Sequence, residues 1–471
     1  MFDRLWAETQ PAFSQQRTWQ RARSLVLGAL VGMGRRTVSG MLTATGQQFE
    51  DWSAAYRLFA KARFDLQDLL APARRTVIQQ LAPQQPLVAL MDDTLLRKRG
   101  RKISGTSWRR DPLGPPFCNN FIWGQRFLQI SAALPEGSGA VRARAIPIDL
   151  THCPSPRKPR RNASDQEWTQ YRTDLDTSRI SLQGAERIAA LRTAMDRDGH
   201  QDRLLITAVD GSYTNSTVIR RLPERTTLIG RVRKDAKLFL PPEQAPSSQR
   251  GRKRFYGADL PTPEQLRQDP DIPWQKVQAF GAGRLFDFEV KSIGPVRWRG
   301  AGKRDLRLII VRPLAYRPHK GAPLLYRDPA YLLCTDPQMD LAAVLQAYLW
   351  RWEIEVNFRD EKTLLGMGQA QVRTPEAVEH VPGLIAAAYA YMHLSLHLTH
   401  GQASLPRPRW YPAQPQARCS SSQGVNLLRA NLWGRALGVD NLTGFAKRQQ
   451  ALAKSVNCLD DPASAVFYAA T

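Results

Sequence analysis

Cysteine, acidic residues and long apolar runs are all scarce in this chain of 471 residues, and each shortage argues against a class of protein. The five cysteines form no CxxC pair and no regular spacing, which disfavours both a zinc site and a disulfide framework. The first ten residues carry acids and no apolar run, so no signal peptide is expected. These features together are typical of a protein of the reducing cytoplasm.

One stretch without formal charge, residues 381–398, has a length at the lower limit for a membrane span. It contains His393 and His397, and His400 follows one helical turn later. No acid accompanies these three imidazoles, so a buried helix is a better prediction than a metal site. No membrane partner is expected.

The shortage of acid is the largest bias in the composition. The chain has 67 Lys and Arg against 42 Asp and Glu, which leaves a formal net charge of +25 and a sequence pI near 10.4. A field of that sign attracts polyanions, and nucleic acid is the commonest such partner. Three dense basic runs, at residues 97–102, 157–161 and 250–254, predict a long charged channel.

The length suggests two to four domains, and the predicted fold class is α/β. We predict an RNase H-like core that is interrupted by a β-rich insertion and flanked by helical N- and C-terminal regions. The predicted parts are a helical DNA-binding region (1–84), the first part of the core (85–225), the insertion (226–336), the second part of the core with a long helix (337–402), and a linker with a C-terminal helical region (403–471).

Carboxylates follow two apolar runs that are predicted to be buried strands. Asp92 and Asp93 follow the first run, and Asp210 follows the second. An aspartate in such a place often caps a turn or the next helix, so each position alone is as compatible with a structural role as with a functional one.

A stripe of polar residues marks the predicted long helix. Tyr348, Arg351, Glu355 and Lys362 fall within roughly 60° of one another on a helical wheel. A solvated face with ion pairs between residues four apart would give the same stripe. An apolar stripe beside it, however, predicts that this helix packs, with Glu355 at the edge of its packed face.

Three carboxylates from two strands and a helix are a donor set suited to divalent metal ions. Mg²⁺ prefers oxygen ligands, and two such ions about 3.5–4 Å apart stabilise the attacking and leaving oxygens of an in-line displacement. Arginine grips phosphate with its planar fork, and lysine acts as a point charge.

The spacing Tyr348, two residues, Arg351, three residues, Glu355, six residues, Lys362 resembles the Y-(2)-R-(3)-E-(6)-K signature of the IS4-type DDE transposases. The segments 91–94 (MDDT) and 209–215 (VDGSYTN) are similar to those that hold the first two acids of that family. The resemblance covers roughly residues 85–400.

The resemblance implies site residues and cofactors. Asp93, Asp210 and Glu355 would be the catalytic, metal-binding triad, with two Mg²⁺ ions for which Mn²⁺ substitutes. Asp92 would then point to the opposite face of its strand, because side chains alternate. Tyr348, Arg351 and Lys362 would hold a DNA phosphate. An aromatic residue of the insertion, Trp298 or else Trp274, would hold a flipped base.

The resemblance also implies a function and partners. The chain would be an insertion-sequence transposase that cuts DNA at the terminal inverted repeats of its element and joins the 3′-hydroxyl to target DNA, as a homodimer when bound to DNA. It would be a bacterial cytoplasmic protein associated with the nucleoid. Two alternatives stay open at this point. One is an RNase H-like nuclease without strand transfer, and the other is a non-catalytic DNA-binding protein derived from a transposase.

Overall fold

The structure is a computed structural model that describes residues 1–111, 114, 117, 120–242, 254–401 and 418–436. Residues 250–253 of the third basic run lie outside the described residues. So does most of the predicted linker and C-terminal region, at 402–417 and 437–471.

Five helices open the chain: α1 (Phe2–Ala7), α2 (Gln16–Val31), α3 (Val38–Ala44), α4 (Ser53–Ala60) and α5 (Leu66–Gln80). Side-chain caps fix two of their N-termini, because Thr37 accepts from the backbone N–H of Gly40 and Asp65 from that of Asp68. The buried apolar residues of these helices belong to the same core as one face of the central sheet. The predicted DNA-binding region is therefore packed into the main body.

The next part of the chain alternates strands and helices. Its elements are β1 (Leu87–Arg97), β2 (Ser107–Arg110), β3 (Phe121–Pro135), β4 (Ala143–His152), α6 (Asp165–Thr177), α7 (Ile180–Arg197), β5 (Leu205–Val209), α8 (Ser216–Ile219) and β6 (Thr226–Arg231). Strands β1, β3 and β4 pair antiparallel, and β5 then pairs in parallel with both β1 and β6. Three antiparallel strands, helices and a buried parallel strand follow one another here, as the RNase H-like prediction requires.

A second set of strands follows: β7 (Leu238–Phe239), α9 (Pro263–Gln268), β8 (Gln275–Gly281), β9 (Arg284–Trp298), β10 (Leu306–Val311), β11 (Ala315–Tyr316), β12 (Leu325–Tyr326) and β13 (Ala330–Cys334). The main sheet runs in the order β2-β3-β1-β5-β6-β13-β10-β9-β7, with β4 on β3 and β8 on β9. Most strands of the predicted insertion therefore extend the central sheet. Only the pair β11 and β12 stands apart from it among the described residues.

Four helices complete the described chain: α10 (Leu341–Trp350), α11 (Trp352–Thr363), α12 (Pro375–His400) and α13 (Ser421–Ala436). The long helix predicted from near Met339 is divided at Arg351, where α10 ends and α11 begins. Helix α12 is buried over most of its length, which confirms the predicted core helix. Within the described residues, no helix combines the length and the apolar character needed to cross a bilayer.

Two layers cover the two faces of the sheet. Val88 and Leu90 of β1 pack with Val344 of α10 and Ile354 of α11. The alternate residues of β1, including Ala89, pack in the other core, which holds the N-terminal helices, α7 and α12. Because side chains alternate along a strand, consecutive residues of β1 face different layers.

Candidate active site

The two adjacent aspartates of β1 point to opposite faces of the sheet. They lie within the strand, which continues to Arg97, and not at its end as expected. By alternation, Asp92 shares the face of Val88 and Leu90, towards α10 and α11, whereas Asp93 shares the face of Ala89.

Asp92 and Glu355 are joined by one guanidinium. Arg351 places Nη1 3.2 Å from Asp92 Oδ2 and Nη2 3.1 Å from Glu355 Oε1. The pair expected between Arg351 and Glu355 on a solvated face therefore exists, but Arg351 also reaches into the sheet. Its side chain is only 14% exposed and that of Asp92 18%. The solvated-face interpretation of the stripe is thus wrong for Arg351.

Asp210 comes beside Asp92 through the parallel pairing of β1 and β5. Met91 is paired with Val209, so the next residue of each chain segment lies at the same level of the sheet. The Asp210 carboxylate accepts from the backbone N–H of Ser212 at 2.9 Å and from its hydroxyl at 2.5 Å. This local turn orients one carboxylate oxygen at the carboxyl end of β5.

The three carboxylates share one electrostatic environment. Burial and the charge of Asp210 raise the pKa of Asp92 to about 7, although Arg351 acts in the opposite direction. Burial likewise raises the pKa of Glu355, with Arg351 opposing and Asp210 adding to the shift. Burial disfavours the charged form of Arg351, but Tyr348 and the carboxylates outweigh it and raise its pKa. The site carries more negative charge than one guanidinium balances.

The geometry places Asp93 apart from Asp210 and Glu355. Its carboxylate accepts from the Tyr213 hydroxyl at 2.8 Å and lies 3.2 Å from Nε of Arg126, on the far face of β1. The residue brought to Asp210 and Glu355 is Asp92. The sequence could not decide between the two, since both faces of this strand are buried and neither shows a polar alternation.

The remaining residues of the stripe lie on the same side as Asp92. Lys362 donates from Nζ to Thr94 Oγ1 at 2.5 Å, two residues beyond Asp92 on the same face of β1, and burial lowers its pKa. The Arg351 guanidinium lies 5.9 Å from the centre of the Tyr348 ring. Helices α10 and α11 thus present all four side chains along one edge of the site.

Helix α11 also carries a buried polar group that does not belong to the stripe. Glu361 is fully buried and its Oε1 accepts from Gln129 Nε2 at 3.4 Å, while Asn357 donates to Ser131 Oγ at 3.2 Å. Gln129 is the cross-strand partner of Asp92. The spacing of Asn357 and Glu361, four residues apart on one helical face, is the only sequence signal for this cluster.

The two candidate tryptophans of the insertion differ in their surroundings. Trp298 lines a cavity of about 990 Å³ that begins at Gly211, next to Asp210, and also includes Arg231 and Lys234. Trp274 instead packs against the cations Lys291, at 4.8 Å, and Arg312, at 5.7 Å. Of the two, Trp298 is the one that shares a cavity with Gly211, the neighbour of Asp210.

The donor chemistry at this site fits a divalent cation. Among the described residues, no three His, Cys, Asp or Glu side chains stand close enough to hold a metal ion as they are. The Arg351 guanidinium contacts both Asp92 and Glu355, where it supplies the positive charge that the carboxylates require. Three carboxylates nonetheless offer oxygen donors of the kind that a hard divalent ion prefers.

A family model described as "DDE superfamily endonuclease" matches residues 9–304, which is more than half of the chain. No curated protein matches the chain. The matched stretch includes Asp92 and Asp210 and ends before α10, so Arg351, Glu355 and Lys362 stand outside it.

Proposed function

The chain belongs to the DDE superfamily of endonucleases, and we propose that it is a DNA transposase whose catalytic acids are Asp92, Asp210 and Glu355. Within that superfamily we assign it to the IS4-type enzymes, on the spacing of Tyr348, Arg351, Glu355 and Lys362. Its reaction is then cleavage at the ends of an insertion sequence, followed by attack of the 3′-hydroxyl on target DNA.

The observation that carries the proposal is the bridge made by Arg351 between Asp92 and Glu355, beside Asp210. Two acids come from adjacent parallel strands and one from a packed helix, and the charge of Asp210 acts on both Asp92 and Glu355. Ion pairs made only for stability rarely gather three carboxylates around one cation, because the surplus charge raises pKa values and destabilises the fold.

Asp92, Asp210 and Glu355 would hold two Mg²⁺ ions, or Mn²⁺ in their place. When bound, such ions stabilise charge on the attacking and leaving oxygens of phosphoryl transfer. Arg351 must release its carboxylates to admit the ions, and its fork is then available for a DNA phosphate. Lys362 places a second positive charge beside it, and Tyr348 offers a hydroxyl.

Trp298 and the cavity that it lines are the proposed place for a flipped base next to the cut. The cavity opens beside Asp210 and carries the exposed cations Arg231 and Lys234, which suit the phosphates on either side of such a base. Joining two ends of an element requires two active sites, so we propose a homodimer in the DNA-bound state.

Nicking of supercoiled plasmid in Mg²⁺ tests the catalytic assignment. Asp92→Asn, Asp210→Asn and Glu355→Gln are each expected to reduce the nicking rate at least about a hundredfold. Each substitution removes a negative charge that would bind the metal ions, and such ions lower the activation barrier by several kcal/mol. Asp93→Asn is the matched control. It keeps an acceptor for Tyr213, and nicking should stay within a few fold of the wild type.

The products distinguish the proposal from its alternatives. A transposase is expected to produce joined donor and target DNA. Nicked plasmid without joined products would instead favour an endonuclease that carries out no strand transfer. If Asp93→Asn abolished nicking and Asp92→Asn did not, the assignment of the first acid would be wrong. DNA binding without any metal-dependent nicking would favour a non-catalytic protein.

A further inference from the structure

An exposed aromatic and basic surface lies at the outer edge of the sheet. It consists of Trp108 and Arg110 on β2 and Phe121 on β3, and we name it the β2–β3 surface. Trp108 is 65% exposed and Phe121 59%, and among the described residues no strand pairs with the outer edge of the short strand β2. Exposed apolar side chains that lie together in one patch, unlike single ones, are a feature of binding surfaces.

The β2–β3 surface is on the same face of the sheet as the proposed catalytic acids. Asp92 is opposite Gln129 of β3, and Phe121 lies eight residues before Gln129 on that strand, so the two side chains share a face. Trp108 and Arg110 are opposite Trp123 and Phe121. The distance along β3 from Gln129 to Phe121 is about 26 Å, at about 3.3 Å per residue.

Contacts on both faces support this alternation. Trp108 meets Trp123 edge to face, with ring centres 5.6 Å apart. The intervening Arg109 points the other way and donates to the Cys153 carbonyl at 3.2 Å. Trp123 is fixed by its Nε1, which donates to the Gly100 carbonyl at 3.2 Å. Trp108 is therefore held on one side and open on the other.

The surroundings of this surface are basic. Arg99, Arg101 and Lys102 are exposed on the segment that joins β1 to β2, and Arg110 is exposed beside Trp108. Within the described residues, no ion pair is formed by any of these four. A second copy of a chain with a net charge of +25 would be repelled by this surface, whereas a polyanion would be attracted.

We propose that the β2–β3 surface binds an unpaired DNA strand that leaves the catalytic site, with bases stacked on Trp108 and Phe121 and phosphates held by Arg110. This inference rests on the proposed function. Aromatic rings stack on the faces of bases, and in a duplex these faces are covered by the neighbouring base pairs. The two rings should therefore raise the affinity for an unpaired strand and not that for a duplex. The arginine contributes the electrostatic part, which does not depend on base pairing.

Equilibrium binding of fluorescent oligonucleotides to the full chain tests the proposal, with a 30-nucleotide single strand and a 30-base-pair duplex as probes. Trp108→Ala and Phe121→Ala are each expected to weaken single-strand binding roughly tenfold and duplex binding no more than about twofold. Arg110→Gln should weaken binding of both probes. It should also reduce the slope of the logarithm of the binding constant against the logarithm of the salt concentration by about one. Tyr326→Ala, at an exposed tyrosine of the separate pair β11 and β12, is the control and should leave both affinities unchanged.

Each other outcome overturns the proposal. If Trp108→Ala and Phe121→Ala lost the same small amount of affinity for both probes, the two rings would not stack on bases. A change of molar mass in light scattering on Trp108→Ala, without a change in DNA affinity, would make this face a contact between copies of the chain. Plasmid nicking by the wild type is measured in parallel. If the wild type nicks plasmid but Trp108→Ala binds the single strand as tightly as the wild type does, only this inference fails. If the wild type does not nick plasmid but the variants change DNA affinity as expected, only the proposed function fails.

Discussion

A proton on Glu361 completes its buried contact with Gln129. Gln129 Nε2 donates to Glu361 Oε1 at 3.4 Å, whereas Gln129 Oε1 and Glu361 Oε2 are both buried without a partner. Burial raises the pKa of Glu361 to about 8, with Asp360 adding to the shift, and Gln129 and Lys362 opposing it. A carboxylic acid at Glu361 supplies the donor that Gln129 Oε1 lacks.

Glu361→Gln, which cannot ionise at this position, should therefore be more stable than the wild type at high pH. The unfolded chain loses the Glu361 proton near its ordinary value of 4.5, and the folded chain keeps it to about pH 8. The free energy of unfolding of the wild type should fall between these values, by up to about 1.4 kcal/mol per pH unit from this group. Glu361→Gln keeps a donor and an acceptor for Gln129 and has no such loss.

Urea denaturation at pH 5 and pH 8 measures the difference. Glu361→Gln should be close to the wild type at pH 5 and more stable by a few kcal/mol at pH 8. The surface substitution Glu186→Gln, on α7, is the control for a change of net charge. A stability difference that is the same at both pH values would mean that Glu361 is ionised in the folded chain.

The choice between Asp92 and Asp93 as the first proposed catalytic acid could not be made from the sequence. Period-two alternation establishes that Asp92 and Asp93 face opposite ways, but it does not say which face the helices α10 and α11 cover. That is determined by the packing of Val88 and Leu90 on Val344, a contact between segments some 250 residues apart in the chain. The stripe on α10 and α11 was predictable, because residues three and four apart meet on any helix.

A buried lysine caps the C-terminal end of the short helix α9. Lys291 is 1% exposed, and its Nζ donates to the carbonyls of Leu266, Arg267 and Asp269, at 3.2, 2.9 and 2.5 Å. These carbonyls belong to the C-terminal end of the helix, which the helix itself cannot satisfy and where the macrodipole favours a cation. Lys291 on β9 thereby holds the C-terminal end of α9.

Replacing this lysine should destabilise the fold although the new side chain is apolar. Lys291→Met leaves the three carbonyls without their donor, and we expect a loss of about 2–3 kcal/mol in the free energy of unfolding. Lys276→Met, at an exposed position of β8, makes the same chemical change on the surface and should cost less than about 0.5 kcal/mol. Equal losses in the two variants would refute the capping role.

The strands were more predictable than their partners. The two apolar runs that become β1 and β5 were recognisable, since buried strands are short and are bounded by turn residues. Their order in the sheet was not, because β6 joins β5 in parallel and β13 in antiparallel, and pairing depends on contacts distant in sequence. The division of the long helix at Arg351 was also missed, since helical propensity continues through that residue.

At the scale of the whole molecule, α12 joins the N-terminal helices to the sheet. The Tyr391 hydroxyl of α12 donates to the Leu69 carbonyl of α5 at 2.6 Å, and Trp6 of α1 meets the same ring edge to face at 5.6 Å. Buried residues of α1 to α5, of α12 and of one sheet face form a single cluster. The described N-terminal helices should therefore unfold with the sheet.

The close approach of α2 to α3 at Gly28 offers a test of that cooperativity. A Cβ atom at Gly28 would lie 2.2 Å from the Met41 carbonyl oxygen, a backbone atom that cannot turn aside. Gly28→Ala gains about 1 kcal/mol of helix propensity, but overpacking against a backbone costs typically 1–3 kcal/mol and should exceed it. At Gly34, a Cβ atom meets nothing within 4 Å, which makes Gly34→Ala the matched control.

Hydrogen exchange at low urea concentration then separates one cooperative body from two. If the chain unfolds as one body, Gly28→Ala should reduce the protection of α12 and β4 by the same free energy as that of α2, while Gly34→Ala leaves all three nearly unchanged. Loss of protection confined to α2 and α3, with α12 and β4 as in the wild type, would show that residues 1–80 open on their own. In that case the shared core would not couple the N-terminal helices to the sheet that carries Asp92 and Asp210.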